Sequence, residues 1–368
     1  MKKDKNLFFR KELLKWFATN HRPMPWKGER DPYIIWLSEI ILQQTTVAQG
    51  TAYFEKFRER YPSVKDLAEA PSDDVMKLWE GLGYYSRARN LHTTAKHINT
   101  ELKGLFPNTY EDVLKLKGVG PYTAAAIASF AYDLPHAVLD GNVYRVLSRF
   151  FGIETPIDTT EAKNIFTELA NKVLDKKRPS DFNQAIMDFG ATFCTPAKPK
   201  CVQCVLQKEC SAFQTDKVDV LPIKSKKMVR RTRYFNYLVI NEGDFVFIRK
   251  RVEKDIWQDL YEFPLVETGN LVDILMEHPE VIGRGDELPN ISINLSELHF
   301  LKQSQPFQQL LTHQKIVATF WEYEVPKSKI GNLLRGCDFQ RVERQNLKDY
   351  AFPKTIDIYL KEKVLTLF

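Results

Sequence analysis

Apolar residues recur at helical spacing through the first half of the chain. Phe8, Leu13, Leu14, Trp16 and Phe17 share one face of a predicted helix near the start. Ser63 and Asp66 head a segment carrying Val64, Leu67 and Ala68, in the hydroxyl-then-acid order that opens helices. Pro71-Ser72-Asp73-Asp74 offers a second capped start, ahead of Val75, Leu78 and Trp79. Residues 6–190 read mostly as helices, and no sustained strand-type alternation occurs before residue 230.

The pattern changes after Lys217. Residues 217–233 hold Pro222, Lys224, Lys226, Lys227, Arg230, Arg231 and Arg233 with little periodicity, which reads as a basic linker. Beyond it, residues 234–240 and 244–250 flank Asn241-Glu242-Gly243 and predict a hairpin. Further strands are expected at 298–301 and 316–325, and a last helix after Pro353. An all-α N-terminal part is thus joined to an α+β C-terminal domain.

Composition narrows this little. The 368 residues suffice for two domains and a smaller third piece, and 43% hydrophobic residues supply large cores. No apolar run approaches the roughly 18 residues of a membrane span, and the polar start lacks a signal-peptide core. No membrane association is expected, and an intracellular, cytoplasmic protein is the simplest reading. A net charge of +6 permits a polyanionic partner without requiring one. Four of the five cysteines fall between 194 and 210, with Cys337 apart. In an intracellular chain such clustering points to a metal site rather than disulfides.

Three constellations carry chemistry. In Leu116-Lys117-Gly118-Val119-Gly120-Pro121-Tyr122 two glycines bracket a valine just before a helix. Such a hairpin lets a phosphate approach Gly118, Val119 and Gly120, and the helix N-terminus adds free N–H groups; taken alone, it is equally a plain turn. Asp140 follows twenty positions after Gly120, where it can also cap the helix over 143–150. Glu39 is the one acid in the apolar run Ile34-Ile35-Trp36-Leu37-Ser38-Glu39-Ile40-Ile41-Leu42. Burial would keep it protonated, as a general acid needs, or require a structural partner. Cys194, Cys201, Cys204 and Cys210, spaced C-x6-C-x2-C-x5-C, can close round one metal centre. Zinc and a 4Fe–4S cluster both accept four thiolates.

These residues together resemble the adenine DNA glycosylases of the MutY kind, within the helix-hairpin-helix superfamily of base-excision glycosylases. Ser38-Glu39 through Leu42-Gln43-Gln44-Thr45, Pro25-Trp26, Gly81-Leu82-Gly83-Tyr84-Tyr85-Ser86-Arg87 and the cysteine spacing carry the likeness. After the linker, Tyr261-Glu262-Phe263-Pro264 and Tyr350-Ala351-Phe352-Pro353 are similar in type to the MutT-like domain of that family. The resemblance implies a multidomain fold. A helical glycosylase domain would cover 1–214, with its six-helix and hairpin part at about 24–131. The N-terminal helix and 132–214 would form its iron–sulfur part. A basic linker would follow at 215–233, then a Nudix-like lesion-recognition domain at 234–368.

The implied activity is hydrolysis of adenine from double-stranded DNA, where it lies opposite 8-oxoguanine or guanine, by a monomer carrying a 4Fe–4S cluster. By resemblance Glu39 protonates the flipped base and Asp140 faces the sugar, oriented by Asn142. Arg22, Trp26, Leu42 and Gln184 line the adenine pocket, and Tyr122 closes it. Gln44, Thr45, Leu82 and Tyr84 form a wedge beside the lesion, which Thr312 and His313 read. Lys198 and Lys200, in the cysteine loop, grip phosphates. No Arg-Glu-x-x-Glu-Glu magnesium cluster occurs between 262 and 287, so a recognition domain is expected rather than a second hydrolase. Two other classes share the scaffold. One is an endonuclease III-like glycosylase and lyase, which would place a lysine where this chain has Tyr122. The other is a non-catalytic DNA-binding protein.

Overall fold

The computed structural model describes residues 4–225, 229–271, 280–282, 292–295, 298–326 and 338–365; Cys337 lies outside them. The chain forms two compact units, Met1–Ala70 with Arg89–Lys227 and Pro71–Ala88 with Met228–Phe368. The helices run α1 (Lys5–Asn20), α2 (Pro32–Leu42), α3 (Val47–Arg60), α4 (Val64–Glu69), α5 (Ser72–Trp79), α6 (Ser86–Thr100), α7 (Tyr110–Leu114), α8 (Pro121–Tyr132), α9 (Gly141–Phe151), α10 (Thr160–Val173), α11 (Pro179–Thr192), α12 (Ser211–Gln214) and α13 (Lys354–Leu365).

The helical unit is organised by two helices that are apolar on nearly every side. In α2 everything from Tyr33 to Ile41 is buried; Asp31 caps it by accepting from the Tyr33 N–H at 2.8 Å, and Pro32 starts the first turn. In α8 the run Thr123–Phe130 is buried. A helix with no polar face belongs in the middle of a bundle, and α8 packs against α2, α7 and α11. The aromatic face read near the start of the chain crosses α10 and α11. Phe9 stands 4.8 Å from Phe150, and Trp16 meets Phe189 edge-on at 5.0 Å. The opening of α4 is a full capping box, Ser63 and Asp66 bonding each other's backbone N–H.

The capped start expected at 71–74 is a boundary without a side-chain cap. Pro71 occupies the N-cap position and no side chain bonds the first turn. Asp73 is engaged elsewhere, accepting from the Lys250 ammonium and from the Tyr261 hydroxyl, the latter at 2.9 Å. The segment read as a linker is also more ordered than its composition suggests. The Ile157 N–H donates to the Ile223 carbonyl at 2.9 Å, and Arg149 donates to the Leu221 carbonyl at 3.0 Å. A buried guanidinium needs acceptors, and the Leu221 carbonyl supplies one.

In the second unit the strands are β1 (Arg231–Glu242), β2 (Phe245–Lys250), β3 (Tyr261–Glu262), β4 (Leu265–Thr268), β5 (Glu280–Ile282), β6 (Ser292–Asn294), β7 (His299–Gln303), β8 (Phe307–Leu310), β9 (Gln314–Glu324) and β10 (Gln340–Glu343). The mixed sheet has the order β10-β2-β1-β9-β7, with β3 on β2, β4 on β1 and β8 on β9; β5 and β6 pair separately. Among the described strands only β1 and β9 run parallel, in register from Arg231 opposite Gln314 to Asn241 opposite Glu324. That long pairing explains why β1 begins at Arg231, three residues before the sequence pattern suggests. The predicted hairpin is present as β1 and β2, with its turn at Gly243-Asp244 and Gly243 at φ +58°. Helix α13 covers one face of the sheet: Tyr359 stacks on Phe320 at 3.9 Å and donates to Glu322 at 2.7 Å. The short strands β3, β4, β8 and β10 were not legible, since two to four residues carry no period.

An acid inside this unit holds its centre. Glu262 is fully buried and accepts from Arg249 at 2.7 Å and from Arg251 at 2.9 Å. Removing its charge would leave Arg249 and Arg251 with only their outer partners, Glu253 and Asp255. Glu262→Gln is expected to cost about 3–5 kcal/mol, read as a lower urea midpoint with an unchanged m value. A loss below ~0.5 kcal/mol would show that Glu253 and Asp255 suffice for the two arginines.

Candidate active site

The helical unit contains a cavity of about 250 Å³. Its lining includes nine residues singled out from sequence: Arg22, Trp26, Glu39, Leu42, Thr45, Tyr122, Asp140, Asn142 and Gln184. Glu39 reaches it from the buried face of α2 and is only 8% exposed. Burial raises its pKa from the ordinary 4.5 to about 7, the nearby Asp140 charge adds to this, and a hydrogen bond with Tyr122 opposes it. The partner and the acid are thus both present.

Asp140 is the N-cap of α9 and the second carboxyl group of the cavity. It accepts from the Val143 N–H at 2.7 Å and from the Asn142 amide at 2.7 Å. Burial raises its pKa, while these two donors pull it back. The capping and the chemical readings hold together, because the cap fixes where the carboxylate points. Behind it, Arg145 donates to the Asn142 side-chain Oδ1 at 2.9 Å and to the backbone carbonyls of Gly190 at 2.6 Å and Cys194 at 2.7 Å. A Cβ at Gly190 would lie 2.7 Å from the Asn142 Cβ, so only glycine lets α11 approach here.

Tyr122 sits in the first turn of α8, directly after the hairpin. Gly118 has φ +81°, and a Cβ there would meet the Asn90 side chain at 2.7 Å. Gly120 is extended at φ −97° and caps α8, with open space where its Cβ would be. Val119 is buried and its N–H donates to the Leu116 carbonyl at 3.1 Å. In this hairpin Gly118 is demanded by the backbone, whereas Gly120 leaves the helix N-terminus uncovered.

The remaining sequence-selected residues lie elsewhere. Gln44, exposed at the end of α2, has φ +54°. In the second unit Leu82 is buried, while Tyr84 is exposed with φ +47°. A left-handed backbone at a non-glycine costs of order 1–3 kcal/mol and gathers at functional positions. The Tyr84 and Thr312 hydroxyls form a short hydrogen bond. Thr312 and His313 sit at the tip between β8 and β9, where the Leu311 N–H donates to the Gln314 carbonyl at 2.8 Å.

The four clustered cysteines line one small cavity of about 30 Å³ with Phe150, Phe189, Phe193 and Leu206. Burial pushes the Cys204 thiol up to about 12, and the other three thiols add to the shift. Arg149 donates to Cys194 Sγ at 3.5 Å. Among the described residues, no three His, Cys, Asp or Glu side chains are gathered so as to hold a single metal ion. Four sulfur donors facing one apolar void, with a cation beside them, fit a thiolate-bound group in their chemistry. Lys198 and Lys200 are exposed on this loop.

Sequence reasoning missed Arg145, Gly190, Lys27 and Asp188. Arg145 and Asp188 each stand one helical turn beyond a residue that was selected, Asn142 and Gln184. That spacing is a usable signal. Gly190 and Lys27 have no local signal.

Comparison with known proteins accords with this geometry. Residues 37–172 match the HhH-GPD superfamily base excision DNA repair proteins, and residues 236–362 match the NUDIX domain. The helical unit with its two carboxyl groups is therefore that of a base-excision DNA repair glycosylase. An adenine DNA glycosylase of Buchnera aphidicola subsp. Baizongia pistaciae is 36% identical, over 70% of this chain and 74% of that protein. One from Mus musculus is 43% identical over 56% of this chain and 42% of its own length. The structure of a thermostable thymine-DNA glycosylase is 32% identical with a TM-score of 0.54, covering 57% of this chain and 97% of that one. This chain belongs to the adenine DNA glycosylases. No helix among the described residues is long and apolar enough to cross a membrane.

The raised pKa of Glu39 has a thermodynamic consequence. Between 4.5 and about 7 the folded chain holds a proton that the unfolded chain has released. Glu39's contribution is therefore lost as pH rises through that window, up to an order of 3 kcal/mol. Glu39→Gln is expected to stabilise the protein at pH 8 and to leave it nearly unchanged below pH 4.5, as urea unfolding across pH would show. Equal increments at both ends would place the Glu39 pKa near its ordinary value.

Proposed function

We propose that this protein hydrolyses the N-glycosidic bond of adenine mispaired with 8-oxoguanine or guanine, as a monofunctional enzyme. The observation that carries the reading is the pairing in one cavity of Glu39, protonated near neutrality, with Asp140, held by two hydrogen bonds. The adenine is extruded from the duplex into this cavity. Glu39 donates its proton to a ring nitrogen of adenine. The glycosidic electron pair leaves with the base, and the sugar becomes cationic at C1′. The Asp140 carboxylate stabilises that cation or adds to it transiently, as carboxylate pairs do in glycoside hydrolysis. Water then adds to C1′ and its proton returns to Glu39. Asn142 orients Asp140, while Arg22, Trp26, Leu42, Thr45 and Gln184 hold the base. Tyr122 closes the pocket where a lyase would need a lysine amine.

The hairpin at Gly118 and Gly120, with the α8 N-terminus, suits a phosphate, and Lys198 and Lys200 add cationic grip. Gln44, Leu82 and Tyr84 are the proposed wedge, and Thr312 and His313 the proposed readers of the oxidised base. Cys194, Cys201, Cys204 and Cys210 would hold a 4Fe–4S cluster, which would brace the loop; the Cys194 carbonyl accepts from the Arg145 side chain behind Asn142.

Wild-type protein is expected to release free adenine from a duplex with one adenine opposite 8-oxoguanine, with a single-turnover rate that falls above pH 7. Asp140→Asn is expected to abolish release, and borohydride to trap no covalent complex. Efficient trapping, or a near wild-type rate for Asp140→Asn, contradicts the mechanism. Replacing both Thr312 and His313 by alanine is expected to reduce preference for 8-oxoguanine over guanine by roughly one to two orders of magnitude, since an unmatched polar partner costs about 1–3 kcal/mol. Loss of rate on both duplexes alike would make the turn a general DNA contact.

The purified protein is expected to be brown and to contain about four irons per chain. One zinc and no iron in elemental analysis would overturn the cluster assignment.

A further inference from the structure

One buried ion pair in the base cavity has no part in the chemistry above. Asp188, on α11, has a side chain 4% exposed, and Lys27 one 15% exposed; both line the cavity that holds Glu39 and Asp140. Breaking such a pair leaves a buried charge uncompensated, which is costly. Its placement gives it work that stability alone does not require.

The Asp188 carboxylate accepts from the Lys27 ammonium and also from the Arg22 backbone N–H, the latter at 3.4 Å. One acid thereby clamps both ends of the loop from Arg22 to Lys27, which carries Arg22 and Trp26 into the cavity. The same helix brings Gln184 to the cavity one turn earlier. Two cations share this wall: burial lowers the Lys27 pKa, the Asp188 carboxylate opposes that, and the Arg22 charge adds to the lowering. Between two like charges a carboxylate is what allows both to stay. Trp26 is fixed on its other side, edge-on to Phe54 at 5.3 Å.

Resting on the reading of this cavity as the adenine pocket, we propose that Asp188 and Lys27 are positioning residues. Their ion pair holds the Arg22–Trp26 wall at the distance from Gln184 at which a flipped purine is gripped with its ring nitrogen at Glu39. They touch neither the proton in flight nor the sugar. Misplacing a reacting group by about 1 Å can cost on the order of 100-fold in rate.

The test uses the full-length protein, with active-site titration so that rates refer to folded molecules. Asp188→Asn keeps the shape, loses the charge and leaves Lys27 facing Arg22. Its single-turnover adenine release is expected to fall roughly 10- to 100-fold, with affinity for a non-cleavable duplex within about 2-fold and a lower melting temperature. Lys27→Met combined with Asp188→Leu leaves no unpaired charge and is expected to recover the melting temperature yet remain slow. Lys27→Arg, which keeps the pair, is expected to stay near the wild-type rate. Recovery of rate together with stability in the double variant would overturn the proposal, making the pair purely structural. So would an Asp188→Asn rate within 2-fold of wild type. If wild-type protein released no adenine, it is the assignment of the pocket that would fail. The two failures are thus read from different samples.

Discussion

Burying Glu39 in an apolar helix is the constraint around which the helical unit is arranged. A carboxyl group there cannot ionise at its ordinary pKa, because the low-dielectric surroundings penalise the charge. Its value near 7 follows from that burial more than from any partner. The apolar character of α2 and α8 therefore serves two ends at once. It forms the middle of the bundle, and it tunes the acid. A polar residue introduced beside Glu39 would disturb both.

Asp140 differs from Glu39 in the donors that surround it. It too is pushed upward by burial, but the Val143 N–H, the Asn142 amide and the more distant Arg145 charge favour its ionised form. On the proposed reading, two carboxyl groups lining one cavity are told apart by their local donors, not by residue type. The division depends on α9 beginning where it does. The N-cap position both aims the Asp140 carboxylate and supplies the Val143 N–H that opposes the effect of burial.

The hydrogen-bond chain from Asp140 through Asn142 and Arg145 to the Cys194 carbonyl ties the cavity to the cysteine loop. The Cys194 carbonyl that accepts from Arg145 belongs to this loop, so whatever orders the loop also fixes that acceptor. In the second unit the buried Glu262 has a comparable structural place between Arg249 and Arg251.

The sequence by itself determined the class of fold and the main chemistry. Helical periodicity, the glycine hairpin, one acid in an apolar run and the cysteine spacing are local signals that survive any tertiary arrangement. Glu39 and Asp140, singled out on that basis, line one cavity with seven residues that only the family resemblance supplied. What only the tertiary structure decided are relations across long separations. Lys27 meets Asp188 from the far end of the helical unit, Gly190 permits α11 to reach Asn142, and Asp73 bonds Tyr261 instead of capping α5. Strands β3, β4, β8 and β10 exist because longer neighbours offer them backbone partners. In each case the residue type allows many partners, and the packing of distant segments selects one.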